Sequence, residues 1–184
     1  MWAIIIIAAI TFIFILLYNS VVNKKNQTIN AFAGIDALLK KRYDLIPNLI
    51  SSVKTYMKHE AGVLTEITQL RTKAISGQLS DDEKVEFDNK MSGALKGIMV
   101  AVENYPDLKA NQNFLQLQAA LNEIEEQISA ARRSYNSAVT DYNNALEMIP
   151  TNFVAAVLKY KKKALFEIAE NERANISVKD MFAD

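Results

Sequence analysis

The sequence predicts an all-α protein in which an N-terminal transmembrane helix leads into an antiparallel up-and-down helical bundle. Three observations predict it. The stretch from Trp2 to Leu17 reads WAIIIIAAITFIFILL, with Thr11 as its lone polar member. Past Asn23 the apolar residues recur at spacings of three and four, and no stretch of comparable length alternates with period two. Only 5 Gly and 3 Pro punctuate 184 residues, too few for a meander of short strands.

The anchor comes first. All 42 charged side chains, 21 basic and 21 acidic, lie after Asn23. Extended through Val22, the apolar run makes about 30 Å of helix, the thickness of one hydrocarbon core. A cleaved signal peptide would place basic residues before such a run and small residues at a cleavage site after it; neither is present. Trp2 and Tyr18 stand at its two ends, where amphipathic rings favour the interface. The first basic residues beyond it are Lys24 and Lys25, followed by Lys40, Lys41 and Arg42, so the positive-inside bias puts the bundle in the cytoplasm and the amino terminus outside.

The organisation expected is residues 1–23 as anchor, 24–150 as helical bundle, and 151–184 as an amphipathic basic helix and tail. The clearest seam starts at Phe114, Leu117 and Leu121 and keeps its rhythm through Tyr135 and Tyr142 to Ile149. A second runs from Ile29 through Phe32, Asp36, Leu39 and Tyr43 to Met57, and a third from Phe87 through Met91 and Ile98 to Tyr105. Ser80-Asp81-Asp82-Glu83 has the capping-box pattern, with Gly77 ahead of it to close the previous helix. Pro106 ends the third helix, Asp107 is a candidate cap for the fourth, and a short fifth starts after Pro150. Pro47 leaves two readings open: a restart capped by Asp44, or a kink in one long helix reaching about Ala74. The preferred restart gives helices near 24–43, 45–76, 81–104 and 108–148, a four-helix bundle whose last helix returns toward the bilayer. The kinked alternative gives three long helices and carries the tail away from the membrane.

Composition excludes several functions. Balanced charge gives no electrostatic footprint for nucleic acid. The absence of cysteine removes thiolate nucleophiles, zinc fingers and iron–sulfur clusters. One histidine, His59, cannot supply the paired Glu-x-x-His motifs of a carboxylate di-metal bundle, and no Gly-rich phosphate loop occurs. No catalytic residue, metal, cofactor or small-molecule substrate is expected.

Asp36 falls on the second seam, where an ionised carboxylate needs a partner. Glu125 and Arg132 lie seven apart beside the fourth-helix seam. A structural network of Asp36 or Glu125 with Arg132 or Arg42 explains these residues better than acid–base chemistry does. On that reading Asp36→Leu is tolerated better than Arg132→Ala. The Gly93/Gly97 spacing reads as close helix approach within the bundle. In 153–166, Lys159, Lys161, Lys162 and Lys163 sit among apolar residues. A lipid-contacting amphipathic helix and a bundle-capping helix with solvated lysines remain equal readings there.

A family resemblance covers nearly the whole chain. Tyr18-Asn19, Ile35-Asp36, the run from Arg42 to Leu49, the run from Tyr105 to Ala110, Phe114-Leu115-Gln116-Leu117, the run from Ala131 to Asn136, Pro150-Thr151-Asn152, and the closing Val178 and Phe182 resemble the LemA family of bacterial membrane proteins. The chain departs from the family pattern at Phe32, where a tryptophan is usual, at Ile149, where a phenylalanine is usual, and across 158–163. The resemblance implies a single-pass anchor in the bacterial cell membrane and a cytoplasmic antiparallel bundle, and it assigns no reaction. The function expected is a non-catalytic, self-associating scaffold whose partners are the bilayer, copies of itself and another membrane or cytoplasmic protein. Lipid binding through the basic tail is the alternative.

Overall fold

In the computed structural model, residues 1–77 and 79–166 are described, and among them no strand forms. The family-like Val178 and Phe182 lie outside the described residues. The described residues form six helices in order: α1 (Trp2–Lys54), α2 (Ala61–Ile75), α3 (Asp81–Val102), α4 (Pro106–Lys109), α5 (Gln112–Glu147) and α6 (Thr151–Val157), with a 3-10 turn at Lys58–Glu60 before α2.

The expected restart at Asp44 does not occur. α1 is one helix of 53 residues, about 80 Å long. Pro47 lies inside it and Asp44 pairs along its surface with Lys40. A mid-helix proline cannot donate to the carbonyl four residues back, which here is Tyr43. That carbonyl instead accepts a 2.9 Å hydrogen bond from Arg71 Nε on α2. A donor from another helix thus replaces the one proline lacks, and the helix continues. Arg71→Ala should cost about 1–3 kcal/mol by stranding the carbonyl. Pro47→Ala in the same background should recover most of the loss, as read by chemical denaturation.

The kinked three-helix alternative fails as well, because the chain reverses at 55–60. The four-helix count therefore holds with its first corner moved outward. Beyond the anchor α1 runs outward. α2 returns, placing Arg71 beside Tyr43; α3 runs out, placing Lys84 beside Asp36 and Ser92 beside Arg42; α5 returns, with Tyr135 against Phe32. The fourth helix is shorter at its start than expected, since Asn111 rather than Asp107 caps α5, its side chain accepting from the Asn113 and Phe114 amides. Pro106 instead opens α4 in the first-turn position proline favours. The Ser80–Glu83 capping box forms as read, and its hydrogen bonds hold the Glu83 carboxyl below the usual range. Gly77, at φ 72, closes the turn before it.

One continuous core joins Ile35, Leu39, Ile46 and Leu49 of α1, Ile67 of α2, Ile98 of α3 and Phe114 and Ile128 of α5. The α1 seam forms as expected at Phe32, Leu39, Tyr43, Ile46, Val53 and Met57, and differs at Asp36, whose place is taken by its neighbour Ile35. Ile35 is buried and Asp36 is not, the Asp36 side chain being 52% exposed and paired at 2.6 Å with Lys84. Gly93 and Gly97 are also exposed, with nothing within 4 Å of a side chain added at either position. They do not mediate close helix approach.

The basic tail differs most. α6 stops at Val157, and no amphipathic helix spans 153–166. The stop is a Schellman arrangement: Lys159 takes a left-handed conformation, its amide donates to Ala156, and the Tyr160 amide donates to Ala155. Residues 160–166 then run as an extended strap along α5. The Asn143 side chain both donates to the Lys163 carbonyl and accepts from its amide; Asn136 does the same for Phe166. Seven helical residues rise about 10.5 Å and three extended residues about 10 Å, so the two asparagines fall in step with the strap. The lysine-rich backbone finds its hydrogen bonds in these amides, which is why it need not be helical.

Candidate functional site

The polar centre of the bundle is a network of four charged residues and one hydroxyl, buried at Arg42 and Asp88 and open to solvent at Glu125, whose side chain is 49% exposed. Arg42 on α1 is 1% exposed and Asp88 on α3 is fully buried. Arg42 Nη1 lies 3.0 Å from Asp88 Oδ1 and donates to Ser92 Oγ at 2.8 Å, while Nη2 lies 2.8 Å from Glu125 Oε2 on α5. Arg132 on α5 pairs with Asp88 from the other side and donates to Asn89 Oδ1 at 3.2 Å. Its guanidinium also stands 5.5 Å from the centre of the Phe166 ring, a cation–π contact that ties the strap to the network.

Three of the four residues expected to form a network, Arg42, Glu125 and Arg132, therefore come together, and Asp36 does not. The carboxylate that binds them is Asp88, which the sequence reading missed. It sits one position beyond Phe87, which was assigned to the seam in its place. The signal available was the position itself: Asp88 lies three before Met91 and seven before Leu95, on the apolar stripe. Burial, reinforced by the negative charge of Asp88, pushes the Tyr43 hydroxyl up to about 12, so it stays protonated at any physiological pH. Paired arginines and carboxylates with mutually cancelled charge fix helix register. His59 is exposed on the 3-10 turn and far from this network in the fold, and among the described residues no three acidic or histidine side chains gather as a metal site.

Two surface features stand out, one beside the network and one away from it. Between α3 and α5 a groove of about 340 Å³ opens, lined by Ser92, Gly93, Lys96, Met99, Leu121 and Asn122. At the other end of α5, the turn into α6 exposes Met148, Ile149, Phe153 and Val157. Of the tail lysines, Lys159, Lys161 and Lys162 are exposed, Lys162 pairing with Glu147, and Lys163 is half-buried.

An apolar helix long enough to cross a bilayer, continuous with a charge-pinned bundle, fits a membrane protein of all-α type. Residues 31–179 match the model of the LemA family, and the chain belongs to that family. It is 28% identical to Protein LemA of Metamycoplasma hominis over 92% of its own length and 78% of that protein. It is also similar to Magnetosome protein MamQ 2 of Paramagnetospirillum magneticum, at 22% identity over 88% of the chain and 70% of the relative. Magnetosome protein MamQ of Magnetospirillum gryphiswaldense matches at 20% identity over 90% and 71%. The residues that carried the resemblance have structural work: Arg42 and Arg132 hold Asp88, while Tyr135 and Asn136 hold Phe166.

Proposed function

We infer that the chain is a membrane-anchored helical scaffold that works through protein–protein contacts, including contacts with its own copies, and carries out no catalysis. The observation that carries this reading is the open groove between α3 and α5. α1 packs closely on α5, and α2 on α3, yet the fourth seam of the bundle stays unfilled along Gly93 and Leu121. Beside it Val100 is 65% exposed, and Gly97 offers no side chain to hinder an approaching helix. Of the ionisable groups along the groove, Glu125 and Arg132 are held in the network with Arg42 and Asp88, which favours a binding face over acid–base chemistry.

The basic residues just past the anchor support a cytoplasmic bundle with the amino terminus outside. Anchoring in one bilayer also raises the encounter rate between copies, so a second copy is the natural occupant of the groove. Two full-length copies carrying different tags, co-expressed and solubilised in mild detergent, should co-purify. Capture of one without the other would sink self-association. Val100→Glu, placed on the exposed face, should abolish the co-purification while leaving the helical circular dichroism unchanged.

A further inference from the structure

The register between α1 and α5 sets how deep the end of α5 lies. Phe32 stacks edge-on with Tyr135 at 5.7 Å, and Arg42 meets Glu125. A third set agrees: Lys25 lies 4.5 Å above the Tyr160 ring, which is 6.4 Å from the ring of Tyr142. Continued to the end of α5, this register brings Glu147 opposite Ser20. Ser20 is two residues from Tyr18, the ring that marks the end of the apolar run, about 3 Å along the helix axis. The corner between α5 and α6 therefore lies at the interfacial level that Tyr18 marks. α6 packs against α1 there, and Val21, a residue of the span itself, is fully buried.

What the corner shows to its surroundings is apolar. Ile149 is 77% exposed, Val157 70%, Phe153 66% and Met148 63%, with no partner among the described residues. The nearest acid, Glu147, is paired with Lys162. One turn farther from the span stand Lys24 and Lys25 on α1, the exposed Lys159 at the end of α6 and the exposed Lys161 on the strap. An apolar tip followed by a basic collar at headgroup height is the profile of an interfacial segment, which buries about 5–10 Å into the headgroup boundary.

We propose that the α5–α6 corner is a second membrane contact, inserting Met148, Ile149, Phe153 and Val157 into the leaflet that α1 crosses, with the lysine collar against its anionic headgroups. The bundle is thereby held at two points on one bilayer and cannot swing about α1. The insertion rests on the depth of the corner and on its exposed side chains, and does not depend on whether copies associate.

The chain has no cysteine, so single cysteines give unique labelling sites. Full-length Ile149→Cys, Phe153→Cys, Tyr18→Cys and Asn104→Cys proteins, each carrying an environment-sensitive fluorophore, are reconstituted in vesicles of equal parts phosphatidylglycerol and phosphatidylcholine. All four positions are exposed. Lipid-borne spin labels should quench positions 149 and 153 as strongly as position 18, while position 104, at the far end of the bundle, is unaffected. Aqueous iodide should show the reverse order. Quenching at 18 but not at 149 or 153 overturns the proposal. Positions 149 and 153 shielded from both quenchers would also overturn it, because a protein would then cover the corner. Lack of quenching at 18 would remove the anchor and the proposal together.

Discussion

Asp88→Ala should be the most damaging single substitution in the bundle, lowering stability by about 3–5 kcal/mol, because it leaves two arginines facing each other without their shared carboxylate. For a domain of this size that loss lowers the melting temperature by roughly 10 °C or more. Arg42→Ala should cost a similar amount, since Asp88 is fully buried and would keep only Arg132. The pair is not worth that much in itself. Replacing both by apolar residues of similar size, Arg42→Met with Asp88→Leu, should recover much of the loss, and a double-mutant cycle by thermal melting separates coupling from stranded charge. Asp36→Leu is the control. Its carboxylate is half-exposed, and its pairing with Lys84 contributes at most about 1 kcal/mol. The same order, Asp36→Leu milder than Arg132→Ala, is now expected for a different reason: Asp36 belongs to the surface.

Phe166→Ala should have the second-largest effect, a loss of about 3 kcal/mol. Its ring meets Tyr135 edge-on at 5.2 Å, stacks on Phe32 at 6.3 Å and receives the Arg132 guanidinium. Removing it opens the top of the core and frees the end of the strap, so limited proteolysis should cut within 160–166 before the helices unfold. Asn143→Ala keeps the ring and removes two hydrogen bonds to Lys163. It should cost about 1–2 kcal/mol and leave the strap protected. If Asn143→Ala exposed the strap as fully as Phe166→Ala, the strap would be held by its hydrogen bonds rather than by the aromatic cluster.

The features legible in sequence are those whose causes are local. The uncharged run before Lys24, the Ser80–Glu83 box, Gly77 and the helix after Pro150 each depend on neighbours within a few residues. The features that escaped depend on partners far along the chain. Pro47 reads as a break because the donor that rescues its helix, Arg71, lies 28 positions beyond the Tyr43 carbonyl it satisfies. Asp88 reads as surface because a carboxylate joins a seam only when arginines from two other helices meet it there. The lysine run reads as an amphipathic helix because its own composition favours one. Only the spacing of Asn136 and Asn143 turns it into a strap, and those side chains belong to another element. Asp36 was misplaced by the converse error, since apolar spacing alone could not distinguish it from Ile35.

The central claim, that this bundle is an anchored scaffold acting through contacts with other copies and proteins, is tested most directly in native membranes. A Gly97→Cys chain, its thiol on the open edge of the α3 face, is oxidised in intact membranes and read on a non-reducing gel. The account predicts a disulfide-linked dimer that Val100→Glu removes. A strictly monomeric ladder, with no second protein joined to it by a thiol-to-amine cross-linker at the same position, would contradict it.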